Sequence, residues 1–384
     1  MTNGPGSPAA NSAPVEPIDT GSAYEAVESG IALCLSGGGY RAMVFHVGSL
    51  WRLCETGFLG KAKRISSVSG GSITSALLAL KWSRLRSGSI DDFVREVAGP
   101  IRRLADHTLD AGSVIEGIFL PGSISDKIAD AYRKHLYGDA TLQDFPDEPR
   151  FVINATNVQS GALWRFMKPY MRDYRVGEVK NPTVSLASAV AASSAFPPVL
   201  SPATLEVDAD AYTPHSGQDL QRQPFTTAVL LSDGGVYDNL GLETAWKRYD
   251  TILVSDAGGK LQPEEEPKHD WARHSYRVLN LIDNQVRNLR KRQLIDSYKG
   301  GIRRGAYWGI RTNIAHYELE DALDCPVEAT MRLAEIPTRL KRLDDATQEK
   351  LINWGYAVCD AALRKHVSPE LSKPADFPYP AAGV

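Results

Sequence analysis

At 384 residues the chain is long enough for one large α/β domain with insertions, and its 43% hydrophobic and 23% charged content is ordinary for a globular protein with a sizeable core. A formal net charge of −3 leaves no electrostatic footprint for nucleic acid. No run of 18 apolar residues occurs, so no spanning helix is expected; the blandest stretch, 184–200, is broken by serines and by Pro197-Pro198.

Residues 1–24 are rich in Gly, Pro, Ser, Ala and Asn and lack both Lys/Arg and an apolar core. They predict a disordered tail and not a Sec signal. The cysteines, Cys34, Cys54, Cys325 and Cys359, have no C-x-x-C spacing. They read as buried free thiols in a reducing, cytoplasmic setting, with no zinc site.

Taken in order, Ile31 to Leu35 is a continuous apolar run, a buried strand, followed by Ser36-Gly37-Gly38-Gly39. Residues 40–56 carry Met43, Val47, Leu50, Trp51 and Cys54 at helical spacing, and Gly57 stops the helix. A second strand over 63–68 runs into Ser69-Gly70-Gly71 and a small-residue helix that ends near Arg86. This βαβα opening favours a parallel sheet covered on both faces.

Residues 87–150 predict a helical insertion. Residues 151–157 predict a strand, with 163–167 as its neighbour, and 185–195 an Ala/Ser-rich helix stopped by Phe196-Pro197-Pro198. The stretch 202–225 reads as a long loop, 227–231 as a strand ending at Ser232-Asp233-Gly234-Gly235, 239–248 as a short helix, and 250–256 as a strand before Gly258-Gly259. A long helix is expected over 269–297, with Val278, Ile282, Val286 and Leu289 on one face and a basic run at 287–292. A last strand at 306–311, a helix over 340–365 and a Pro-rich tail over 366–384 complete one domain, 25–365, with no internal repeat.

Three strand-to-loop junctions stand out: 36–39, 69–71 and 233–235. Parallel strands would bring their loops together at the carboxyl edge of the sheet, where ligands bind in α/β proteins. Ser69, between a strand and a helix with Ser67 and Gly71 as small neighbours, has the layout of a nucleophile elbow, one step off G-x-S-x-G. A simple Ser/Gly turn is the bland alternative. The triple glycine can aim successive backbone N–H groups into one concavity, as an oxyanion hole or a phosphate cradle. It also formally satisfies G-x-G-x-x-A, but the second strand lacks the terminal acid of a dinucleotide site. Asp233 could accept the nucleophile's proton, with Asp256 ranked second. None of the eight histidines sits at a strand end, and His46, inside the first helix, reads as a core histidine.

With these pieces in order, the chain resembles the patatin-like phospholipase family over about residues 30–260. The family's G-G-G-x-R/K-G loop, G-x-S-x-G elbow and D-G-G/A aspartate read here as Gly37-Gly38-Gly39-Tyr40-Arg41-Ala42, Ser67-Val68-Ser69-Gly70-Gly71 and Asp233-Gly234-Gly235. The Ala-rich stretch 187–198 is similar to the family's A-S-x-A-x-P region. Ser67 and Ala42 depart from the pattern, each replacing a glycine by another small residue.

The resemblance implies a three-layer α/β fold with a mostly parallel central sheet, related to α/β-hydrolases. It implies hydrolysis of fatty-acyl esters of lipids, without cofactor or metal, through a Ser69–Asp233 dyad. Gly37, Gly38 and Gly39 would form the oxyanion hole, and Arg41 would support the loop or meet a phosphate. A catalytically inactive lipid-binding or scaffold protein of the same fold is the alternative. Expected partners are a phospholipid or other fatty-acyl ester and a membrane surface, met peripherally through the basic run at 287–292. Segments 87–150 and 202–225 are the expected lid or acyl groove.

Overall fold

The computed structural model describes residues 27–85, 88–109 and 124–384. The expected tail, 1–24, and residues 110–123 of the expected helical insertion lie outside the described residues.

Strand β1 (Glu28–Leu35) leads through the glycine loop into α1 (Gly39–Glu55). Strand β2 (Ala62–Val68) leads through Ser69 into α2 (Gly70–Leu85). Helical turns follow at Ile90–Phe93, Val94–Ala98 and Gly99–Ala105, and again at Ile124–Tyr132 and Arg133–Tyr137. Then come β3 (Arg150–Asn157), β4 (Ala162–Phe166), β5 (Tyr170–Asp173), β6 (Gly177–Lys180) and α3 (Leu186–Ser193). Next are β7 (Ala203–Glu206), β8 (Ala228–Asp233), β9 (Tyr249–Asp256), α4 (Trp271–Lys299), β10 (Arg304–Gly309), α5 (Val327–Glu335) and α6 (Asp345–His366).

The sheet runs β10-β9-β1-β2-β3 in parallel and continues antiparallel through β4, β5 and β6. Strand alternation divides its apolar residues between two layers. Leu33, Leu35 and Leu253 join the main core with α1, α2 and α6, whereas Ala32, Cys34, Ile252 and Val254 join Leu240, Leu242 and Leu294 on the other face. The result is a three-layer α/β fold with a mostly parallel central sheet, as the sequence implied.

In the main layer α1 and α6 approach closely. A Cβ at residue 48 would overlap the Ile352 carbonyl, and one at residue 355 the Phe45 carbonyl. The Pro-rich stretch after α6 is seated on this layer: Asn353 Nδ2 donates to the Tyr379 and Gly383 carbonyls, both at 2.8 Å, and Tyr379 packs edge-on to Trp51.

Two expectations change. The 202–225 loop contains a strand, β7, paired with β8. Strand β8 is antiparallel to β3, not parallel to β1 and β2. The junctions still converge, because β2 and β8 share one edge of β3 and meet there end to end. Val68 stands opposite Asn154, and Asp233 opposite the next residue, Ala155. Two strands arriving from opposite directions thus place Ser69 and Asp233 at one point.

Candidate active site

The elbow is built from hydrogen bonds and close packing. Ser69 has φ +51°, a left-handed conformation unusual for a residue with a side chain and a form of strain found at functional sites. Its N–H donates to Ser193 Oγ at 3.0 Å, and its carbonyl accepts from the N–H groups of Ser72 (2.8 Å) and Ile73 (3.1 Å) to start α2. Ser193 Oγ in turn donates to the Asn154 carbonyl at 2.7 Å, locking α3 to β3 and to the elbow. Gly70 rests against Gly39, where a Cβ would overlap the Gly39 carbonyl. Ser67, in place of the usual glycine, is fully buried; its hydroxyl donates to the Val152 carbonyl at 3.2 Å and accepts from Ser72 Oγ at 3.1 Å.

Asp233 is 2% exposed. Its Oδ1 accepts the Gly235 N–H at 2.7 Å, and it lines the same cleft as Ser69. Burial pushes the Asp233 pKa up to about 7, against the pull of the Gly235 N–H and the Ser69 hydroxyl, with Asp283 adding a further push upward. The second-ranked carboxylate, Asp256, is held elsewhere. It accepts from Tyr307 Oη at 2.6 Å and from the Gly258 N–H at 2.8 Å. Burial raises its pKa, but Arg287, the Tyr307 hydroxyl and the Gly258 N–H outweigh that and hold it below the usual value.

The glycine loop passes beside Ser69, with Gly38 at φ +143° and Gly39 at φ +59°. The Gly38 and Gly39 N–H groups make no hydrogen bond with the described residues, whereas the Gly37 N–H is committed to the Asn239 carbonyl at 3.0 Å. Gly37 therefore shapes the loop and leaves Gly38 and Gly39 as the available donors. Arg41 is buried and acts as a clamp. Its Nη1 donates to the Ala334 and Ile336 carbonyls and its Nη2 to the Ala257 carbonyl, each at 2.7 Å. Of its two expected roles, this geometry is that of loop support.

His46 is a fully buried core histidine. Its Nε2 lies 2.9 Å from the Ser36 carbonyl, which fixes it as the donor, and its Nδ1 accepts from Ser255 Oγ at 2.9 Å. Burial lowers its pKa to about 4, although the Ser36 carbonyl and Asp256 pull upward.

A cleft of about 640 Å³ opens over these groups, lined by Gly38, Gly39, Ser69 and Asp233 at its base. Its walls are residues 196–200, 259–262 and 334–340 and one face of α4. The expected lid segments, 87–150 and 202–225, contribute no described residue to it. The basic run at 287–292 does not form a free patch either. Arg287 donates to the Gly259 carbonyl, Arg290 pairs with Glu243 at 3.0 Å, and Lys291 lies 4.3 Å from the centre of the Tyr307 ring. These side chains are drawn inward because α4 presents this side to the body of the protein.

Sequence reasoning assigned no role to Ser193 or Asn239. Asn239 lines the cleft and holds Gly37, and its side chain fills the space that a Cβ at Gly37 or Gly235 would take. The only signal for either residue was its place, in the Ala-rich stretch and six residues after Asp233.

The three-layer α/β arrangement with a mostly parallel central sheet is a patatin-like fold. The chain belongs to the patatin-like phospholipase family, whose pattern it matches over residues 33–246, more than half its length. Human GIVD cytosolic phospholipase A2, solved with methyl gamma-linolenyl fluorophosphonate, is similar over 87% of this chain and 57% of its own, with 15% identity and a TM-score of 0.48. Another structure of that human enzyme is similar over 63% of this chain and 49% of its own, at 14% identity and a TM-score of 0.39. VipD from Legionella pneumophila is similar over 89% of this chain and 67% of its own, at 14% identity and a TM-score of 0.35. The chain thus spans about half the length of the human enzyme. A search of curated proteins finds no match.

Proposed function

We propose that this chain is a serine lipid acyl hydrolase, a carboxylic ester hydrolase acting on fatty-acyl esters of phospholipids or related lipids. The observation that carries the reading is the strained Ser69 lining one cleft with the buried Asp233, whose pKa burial pushes up to about 7. A carboxylate tuned to that range takes a proton at neutral pH far better than an ordinary aspartate.

Ser69 Oγ attacks the ester carbonyl carbon as its proton passes to Asp233. The negative charge that develops on the carbonyl oxygen is met by the Gly38 and Gly39 N–H groups; one such donor contributes about 3 kcal/mol of barrier lowering. The tetrahedral intermediate collapses, the alcohol leaves with the proton from Asp233, and the acyl group stays on Ser69. Water then attacks the acyl-enzyme, gives its proton to Asp233, and the fatty acid is released as Ser69 recovers its hydrogen. Buried, neutral His46 takes no part. The four cysteines are buried and unpaired, which suits a reducing, cytoplasmic setting.

The test is turnover of a p-nitrophenyl ester together with fluorophosphonate labelling. Wild type should turn over and label; Ser69→Ala should do neither, and Asp233→Ala should lose turnover. Full activity of Ser69→Ala overturns the reading, and a folded wild type that neither labels nor turns over favours the inactive scaffold.

A further inference from the structure

Helix α4 has two unlike faces. Tyr276, Asn280, Asp283, Asn284 and Arg287 recur at three- and four-residue intervals and line the cleft. Trp271, Val278, Ile282 and Leu289 recur at intervals of seven, four and seven and form a row on the opposite side. They are exposed by 83%, 42%, 53% and 56%, with Leu281 beside them at 48%. Half of the twelve large hydrophobic side chains exposed among the described residues lie on this one helix, since Tyr276 is also 42% exposed. The face that the sequence pattern marks as apolar therefore turns away from the body of the protein, and the polar face turns in. A contiguous exposed apolar row marks an interaction surface.

From this we infer that the outward face of α4 is the surface by which the protein seats on lipid, entering the interface apolar side first. The inference rests on the hydrolase reading above and names the partner of the same cleft. Two observations select a lipid surface as the occupant. Exposed apolar side chains also reach the cleft: Tyr276, on the cleft side of the helix, belongs both to the cleft wall and to the exposed apolar set, and across the opening Val199 does the same at 41% exposure. The charge around the row is also permissive. On the helix Arg273, Arg277 and Arg290 pair with Asp270, Glu264 and Glu243, and Arg287 and Lys291 turn inward, which leaves the exposed Arg292 and Lys299 as the basic side chains beyond these contacts. Its exposed Arg292 flanks the row. A helix with an apolar face and basic flanks lies in the plane of the interface.

Trp271 is a built-in probe, because a tryptophan entering lipid is quenched by brominated acyl chains. Full-length protein is mixed with vesicles of brominated phosphatidylcholine, with Trp271→Phe as the control that assigns the signal. Wild type should be quenched, and Trp271→Phe should lose most of that quenching. Ile282→Asp with Leu289→Asp should weaken vesicle partition by about tenfold or more through lost apolar insertion, with kcat/KM on a soluble short-chain ester unchanged. Partition should persist at high salt, which screens adsorption through basic side chains but not apolar insertion. Ser69→Ala should bind vesicles as wild type does, so failure of the chemistry and failure of the docking are read separately. The inference is overturned by any of three results: wild-type partition in the double variant, loss of binding at high salt, or Trp271 already shielded from aqueous quenchers before vesicles are added. The last would show that a second copy, or another part of the chain, covers the face.

Discussion

In the proposed reaction Asp233 must be buried enough to have a high proton affinity and ionised enough to act as a base. Its pKa of about 7 sets the expected pH profile. The kcat/KM for a soluble ester should rise with pH and level off above about 7, and Asp233→Asn should abolish turnover across the range. The same shift bears on stability. The folded-state value lies above the unfolded 3.8, so the stabilisation this group gives is complete below 3.8 and is lost as pH rises through about 7. Asp233→Asn, which keeps the shape without the buried charge, is therefore expected to melt a few degrees higher than wild type at pH 8 in a thermal scan. A gain in Tm with a loss of activity separates this residue from a structural carboxylate. Ser67 makes the opposite case. Its hydroxyl spans Val152 and Ser72 without touching the cleft, so Ser67→Gly should keep turnover while losing about 1 kcal/mol in chemical denaturation. The family's glycine at this position is matched by a serine that has found its own partners.

Among the elements, the α1–α6 contact is set by Gly48 and Gly355, each facing a carbonyl of the other helix. Gly355→Ala should cost about 2 kcal/mol by overpacking, seen as a lower denaturation midpoint at unchanged slope. Neither glycine declares itself in the sequence, since a glycine within a helical pattern shows its reason only once the second helix is in place. The β1–loop–α1 and β2–elbow–α2 units were legible because apolar runs end at glycines and then change to helical spacing. The direction of β8 was not legible, because six largely apolar residues read alike whichever way the strand runs. The facing of α4 was also hidden. Its periodicity shows that one side is apolar, but only the packing of Leu294 and Arg287 against the body shows which side faces in.

Across the whole molecule, two buried groups pull stability in opposite directions over nearly the same pH window. His46 is lowered from 6.5 to about 4, so its contribution is present above 6.5 and lost as pH falls toward 4. Asp233 contributes in the reverse sense between 3.8 and about 7. In wild type the two trends offset each other. In Asp233→Asn the histidine trend stands uncovered, and the Tm of that variant should fall more steeply than that of wild type between pH 6.5 and 4. Parallel slopes would show that Asp233 is not buried as described. By itself the sequence determined the order of the candidate site residues: a glycine loop, then Ser69, then Asp233, each at the end of an apolar strand. That much is local, because strand, turn and helix signals lie within a few residues of one another. Only the tertiary structure decided which groups meet. The abutment of β2 and β8 along β3 brings Asp233 to Ser69 across 164 positions of sequence. The Asn239 carbonyl removes the Gly37 N–H from the available donors, and packing turns the basic side of α4 inward and its apolar side out. These outcomes depend on partners distant in the chain, and burial, hydrogen bonding and charge act between neighbours in space.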